Sequence, residues 1–166
     1  MLELERLTSH HLDALLCFEV ENRAYFGRSI DDRGDEFFAS FPEHHDAALA
    51  QQAAGECAFY VLVDGHTGAV VGRFNLYRLG HGAATVGYRV AEDVAGRGVA
   101  TQALRDLCRR AVDDHGLDRL NAEASRTNAA SQRVLEKAGF AAVGECTVAG
   151  KPGIRFALDL SRAGTR

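Results

Sequence analysis

The chain has 166 residues, 46% hydrophobic and 25% charged, with two prolines, no tryptophan and a formal net charge of -4. A chain of this size buries about two-thirds of the surface it exposes when unfolded, so a single domain spanning 1–166 is expected. This balance excludes long disorder, and the acidic charge excludes a general basic surface for nucleic acid, favouring instead an amine-bearing partner.

The start, Met1 to Arg6, lacks the basic and apolar regions of a secretory signal, and no apolar run reaches the roughly 18 residues of a membrane span. A cytoplasmic protein without membrane contact, monomeric or homodimeric, is the expectation. Cys17, Cys57, Cys108 and Cys146 form no Cys-x-x-Cys pair, and the neighbours His10-His11 and His44-His45 cannot share a helical face, so no metal site is expected.

In chain order, Leu2 and Leu4 alternate with glutamates as in a short strand, and Thr8 or Ser9 caps a helix with Leu12, Leu16, Val20 and Ala24 on one stripe. A polar segment from Gly27 to Asp35 precedes a second helix from Glu36 to near Gly55, which Pro42 kinks or divides. Two β-rich runs, Ala58 to Asp64 and Ala69 to Leu79, flank the turn Gly65-His66-Thr67-Gly68, and a third, Ala83 to Ala91, completes an antiparallel meander.

From Ala100 the period becomes helical, with Ala103, Leu104, Leu107, Cys108, Ala111 and Val112 on one stripe and Gly116 as the C-terminal cap. A strand at Arg119 to Ala124, a helix at Asn128 to Ala138 closed by Gly139, and strands at Phe140 to Thr147 and Gly153 to Leu160 finish the chain.

Between the third run and the long helix lies Val94-Ala95-Gly96-Arg97-Gly98-Val99-Ala100-Thr101, a glycine-bearing turn at a helix N-terminus. Backbone N–H groups there have no helical partner and the helix dipole adds positive potential, which makes an anion site. Gly98 lets a ligand approach closely, and Arg97 can add a charged contact. A bare connection with nothing bound competes with this reading. A Rossmann turn does not fit, because Thr101 stands where its third glycine belongs, and no Gly-Lys-Ser/Thr is present for a Walker loop.

The stretch Ala95-Gly96-Arg97-Gly98-Val99-Ala100 resembles the pyrophosphate loop Gln/Arg-x-x-Gly-x-Gly/Ala of the GNAT superfamily of N-acetyltransferases. Val86-Gly87-Tyr88-Arg89-Val90 ahead of it, and Asn128-Ala129-Ala130-Ser131-Gln132-Arg133-Val134-Leu135-Glu136-Lys137-Ala138-Gly139-Phe140 after it, are similar to the ribosomal-protein N-terminal acetyltransferase branch. The likeness runs from about Tyr60 to Gly144 and extends to the N-terminal helices only in layout.

That resemblance implies an α/β fold with a mixed, mostly antiparallel central sheet flanked by helices and splayed between the strand before the loop and the next one. It implies acetyl-CoA as cofactor, held by Gly96 to Thr101 and Asn128, with backbone groups near Arg89, Val90 and Ala91 on the pantetheine. The Val90 N–H would stabilise the oxyanion formed on the thioester carbonyl. A plain helix cap is the alternative role of Asn128, compatible with the first, and Ser131 either contacts the cofactor or assists the departing thiolate.

The family's usual glutamate and tyrosine are missing, with Thr85 and Leu135 standing near their positions, so Glu21, Glu123 and Glu145 are the carboxylates left as candidate bases, each also readable as a structural or solvated acid. For the acceptor the resemblance points to the first helices and their loop. Glu21, Tyr25, Asn75 and Tyr77 are the candidate contacts, and Glu21, Asp31, Asp32 and Asp35 either attract a cation or form a solvated face. The implied reaction is acetyl transfer to a primary amine such as a protein N-terminus. A small amine or antibiotic as acceptor, or acyl-CoA binding without catalysis, is the alternative.

Overall fold

The computed structural model describes residues 1–163 and, among them, one seven-stranded sheet in the order β1-β2-β3-β4-β5-β7-β6. The strands are β1 (Leu2–Arg6), β2 (Ala58–Asp64), β3 (Val70–Gly80), β4 (Ala83–Val90), β5 (Arg119–Ser125), β6 (Ala141–Val148) and β7 (Lys151–Asp159). The β2–β3 turn closes with the Gly68 N–H donating to the Asp64 carbonyl at 2.8 Å, as the small residues between the two runs predict. β1 to β4 pair antiparallel, as do β5, β7 and β6, and β4–β5 is the one parallel pair among the described residues. The expected mixed, mostly antiparallel sheet is therefore observed.

Among the described residues seven α-helices surround it: α1 (Leu12–Glu21), α2 (Arg23–Phe26), α3 (Asp35–Ala39), α4 (Phe41–Ala53), α5 (Val99–Asp113), α6 (Ala129–Lys137) and α7 (Leu160–Ala163). The alternation of the strands divides the core into two layers. Tyr60, Phe74, Leu76, Leu120 and Phe156 face α5 and α6, which contribute Leu104, Leu107 and Leu135. Phe59, Val61 and Val63 face the other side, where Leu15, Phe18, Phe26 and Phe41 of α1, α2 and α4 cover them.

Gly116 takes a φ of +62°, its N–H donating to the Val112 carbonyl and that of Leu117 to the Ala111 carbonyl, so α5 ends in the two-bond cap the sequence predicts. The expected second helix is divided at Ser40 into α3 and α4, with Pro42 in the first turn of α4, where its missing N–H costs nothing.

The stripe expected on the first helix is incorrect. α1 buries Leu15, Phe18 and Glu19, while Val20 and Ala24 are exposed and Leu12 and Leu16 half-buried. A 3-10 turn at Ser9–His11, capped by Thr8, precedes α1, and Asn22 interrupts the helix before α2, so one 3.6-residue period does not run through.

Candidate active site

β4 and β5 pair only over Ala83–Val86 and Arg119–Ala122. Beyond Val86, β4 continues to Val90 against β3, and beyond Ala122, β5 continues to Ser125 against β7. The two strands part there, leaving a V-shaped opening.

The Ala91 N–H donates to the Val71 carbonyl at 2.8 Å, which sets the alternation along this edge. Arg89 and Gly87 therefore turn their backbone groups to β3, and Tyr88 and Val90 turn theirs into the opening, where the ladder to β5 has ended. The contact expected at Ala91 is corrected: its N–H is held by Val71 and its carbonyl accepts from Val94 at 3.1 Å. At Arg89 the backbone groups face β3, so Tyr88, which sequence reasoning missed, stands beside Val90 as a source of open backbone groups.

At the far end of β4, Gly96 and Gly98 have φ of +75° and +77°, and a Cβ at either would meet no atom within 4 Å. Gly98 begins α5 without any side-chain cap, so the N–H groups of Val99, Ala100 and Thr101 are free to hold an anion. Arg97 is exposed beside them, whereas the Thr101 side chain is buried, so only its backbone can serve. Open space, uncapped N–H groups and a splayed strand pair fit a ligand with a phosphate at one end and a hydrogen-bonding arm along the gap.

The sequence profile of the acetyltransferase (GNAT) domain matches residues 1–141. The chain belongs to the GNAT acetyltransferase family. Its acyl donor is acetyl-CoA. Among solved structures it is similar to the ribosomal-protein-S5-alanine acetyltransferase from Vibrio fischeri, with a TM-score of 0.87 at 18% identity over 95% of this chain and 92% of that one. It is also similar to Mycobacterium smegmatis RimJ in complex with CoA-disulfide, with a TM-score of 0.85 at 21% identity over 97% and 83%. Aminoglycoside acetyltransferase AAC(6')-Ib in complex with coenzyme A gives 0.79 at 20% identity over 100% of both chains. At these identities the likeness is one of fold. Among curated proteins, none matches the sequence closely enough to count as a relative.

In this GNAT enzyme Asn128 caps α6, its Oδ1 accepting from the Ser131 N–H at 3.1 Å, which leaves its amide nitrogen for a ligand. The Tyr88 hydroxyl lies 3.1 Å from Ser131 Oγ, so the start of α6 stands beside the opening. Leu135 is fully buried and supplies only core. A cavity of about 910 Å³ lined by Arg105, Cys108, Val112, Ala138 and Leu158 lies between α5, the turn after α6 and β7, toward the C-terminal end of α5 and away from the loop at its start.

Of the three candidate carboxylates, the structure brings one to the opening. Glu123 is the first residue of β5 past the paired segment, exposed, on the sheet face opposite α5 and α6. Burial and a hydrogen bond to Glu123 together push the Cys146 thiol above its usual range. Glu145 lies on β6, two strands from the opening, and is ion-paired with Arg126. Glu21 ends α1 exposed.

Asn75 and Tyr77 share the Glu123 face. The Asn75 amide donates to the Tyr77 hydroxyl at 2.9 Å, and its own Oδ1 is buried without a hydrogen-bond partner among the described residues. The Tyr77 ring lies over Gly87, where a Cβ would come within 2.9 Å of it, so glycine at 87 lets the ring cover the strand at the apex of the opening. Tyr25 is half-buried, against Phe26, and so contributes at least partly to the core.

In the loop for which a cation-attracting and a solvated reading were both open, two of the acids are paired internally. Arg23 donates to Asp32 at 2.9 and 2.7 Å and to Asp35 at 2.9 Å, and this pairing holds the Asp32 carboxyl below its usual range. Two of the four acids are thus spent inside the loop.

The missed feature of most consequence is Glu19. Its carboxylate is 3% exposed and receives Arg73 and Arg89 at 2.7 Å each. Arg73 and Arg89 are Cα partners on β3 and β4, two like charges face to face, and Arg89 also lies over the Phe26 ring at 4.5 Å. Asn22, one turn on, accepts from the Glu92 N–H at 3.0 Å. α1 thus holds both ends of the segment that carries Val90.

Proposed function

We propose that this enzyme transfers the acetyl group of acetyl-CoA directly to a protein N-terminal α-amine, with no acyl-enzyme intermediate. The observation that carries the reading is the pair of backbone positions, Tyr88 and Val90, turned into a strand opening whose other face presents Glu123, Asn75 and Tyr77. The pyrophosphate sits on the N–H groups from Gly98 to Thr101, with Arg97 alongside and Asn128 and Ser131 against the arm. The Val90 N–H points at the thioester carbonyl and stabilises the charge that develops there.

The amine approaches from the Glu123 face. At neutral pH about a tenth of an α-amine is already uncharged, against less than one in a thousand for a lysine side chain. An exposed carboxylate acting through water is enough base for the former and little for the latter. One neighbour in fold, the ribosomal-protein-S5-alanine acetyltransferase, supports a protein acceptor, while the aminoglycoside enzyme marks the competing class.

The test is incubation with acetyl-CoA and peptides beginning with Ala or Ser, their Nα-blocked counterparts, spermidine and an aminoglycoside, read by release of free thiol. Turnover confined to free N-termini is the expected result. Turnover confined to the polyamine or the antibiotic overturns the acceptor assignment, and tight coenzyme A binding without turnover across the panel overturns catalysis.

A further inference from the structure

Tyr88 leaves β4 on the α5 and α6 side, and its ring stacks on Phe74 with centroids 5.5 Å apart and planes 4° apart. That stacking fixes where the hydroxyl stands: 3.1 Å from Ser131 Oγ and 3.4 Å from the Ser131 carbonyl oxygen. The Ser131 N–H is already taken by Asn128. Ser131 is thus held at its amide by the helix cap and at its hydroxyl by a residue 43 positions earlier on the strand that lines the opening.

Serine in a helix ordinarily turns its hydroxyl back onto a carbonyl of the preceding turn. Ser131 Oγ instead has a rigid phenol beside it. Burial raises the Tyr88 pKa, so the phenol keeps its proton at neutral pH. The phenol hydrogen lies between the Ser131 carbonyl and Oγ; donated to Oγ, it leaves the Ser131 hydrogen for another acceptor, and β4, from which Tyr88 projects, lines the opening.

We propose that Tyr88 is a positioning residue that fixes the Ser131 hydroxyl as a hydrogen-bond donor to the departing coenzyme A sulfur. This rests on the acetyl-transfer reading above. As the carbon–nitrogen bond forms and the carbon–sulfur bond breaks, the electron pair stays on sulfur, and Ser131 donates to that thiolate. The proton that finally resides on sulfur is the one the amine nitrogen releases, passed through solvent, so Ser131 and Tyr88 end the cycle with their own protons. A bond to a charged acceptor is stronger than one to the neutral thioester sulfur, so the contact favours the later part of the reaction.

The experiment uses the full chain with Tyr88→Phe, Ser131→Ala and the double variant. Phenylalanine keeps the stack on Phe74 and removes only the oxygen. Tyr88→Phe is expected to lower kcat on the order of tenfold with the KM for acetyl-CoA little changed, and the double variant to be no slower than Ser131→Ala alone. A readout without turnover is the affinity for coenzyme A measured calorimetrically across the titration of its thiol. Affinity of the wild-type protein is expected to rise as the thiolate forms, and both single variants to flatten that rise. Defects that multiply in the double variant, or a rise that survives Tyr88→Phe, overturn the role of Tyr88 and leave acetyl transfer standing. A wild-type protein that binds no coenzyme A overturns the underlying reading instead.

Discussion

Glutamine at position 19 would keep the size of the side chain and remove its charge. In the native protein a carboxylate 3% exposed balances two guanidinium groups 15% and 18% exposed, all three contacts at 2.7 Å. Without it two cations face each other across an antiparallel pair with no counter-charge and little water. Breaking a buried ion pair from one side costs about 3 to 5 kcal/mol, because an uncompensated charge remains. For a domain of this size each kcal/mol moves the melting temperature by about 2 to 4 °C, so Glu19→Gln should melt roughly 6 to 20 °C below wild type. Thermal unfolding followed by circular dichroism measures it. The triple variant in which Glu19, Arg73 and Arg89 all become methionine should recover most of the loss, since no charge is then stranded. A Glu19→Gln shift within about 2 °C, a cost of one kcal/mol or less, would mean that the triad behaves as a solvated surface pair and would refute the reasoning.

Three further outcomes follow from the same structure. Gly98→Ala adds a Cβ into open space at a φ of +77° and should cost only about 1 to 2 kcal/mol of stability. It should nevertheless lose the thermal shift that coenzyme A gives the wild type, which at a hundredfold excess over Kd corresponds to about 2.7 kcal/mol; an undiminished shift would remove the loop from the cofactor site. Burial holds the His115 pKa below its usual value, and its Nε2 lies 2.9 Å from the Tyr60 hydroxyl. The unfolded chain therefore takes up the proton first, so stability is fully present above about pH 6.5 and declines as pH falls below it. His115→Gln should flatten that part of the pH profile of the melting temperature, and an unaltered slope would exclude His115 as its source. Cys17 is exposed, whereas burial pushes the Cys108 thiol up to about 12, so a thiol reagent should label Cys17 in the native protein and Cys108 only after denaturation.

The sheet was legible because its signals are local. Alternation fixes β1, small residues fix the β2–β3 turn, and a change of period followed by Gly116 fixes α5. The glycine turn ahead of α5 was legible for the same reason, since its glycines and the helix that follows are contiguous. Glu19 was not, because its partners lie 54 and 70 positions away and nothing in a Leu-rich helix marks one glutamate as buried. The choice between Ala91 and Tyr88 was equally hidden, for it depends on which backbone groups the register turns toward β3. The role of the loop acids stayed open because their charge is readable in sequence and the Arg23 fork that pairs Asp32 and Asp35 is not.

The parallel pairing that stops after four residues on each strand also bears on how the chain assembles. On either side of it the strands pair antiparallel, β1 to β4 in one group and β5 to β7 in the other. The junction between the groups is the most thinly paired line through the sheet. Amides flanking Val86 and Ala122 should exchange with solvent through openings smaller than global unfolding, while those within each antiparallel group wait for the whole molecule. The cleft that admits a substrate and the place where the native state comes apart most readily are then the same line of backbone, and a ligand lying along it would mend the seam.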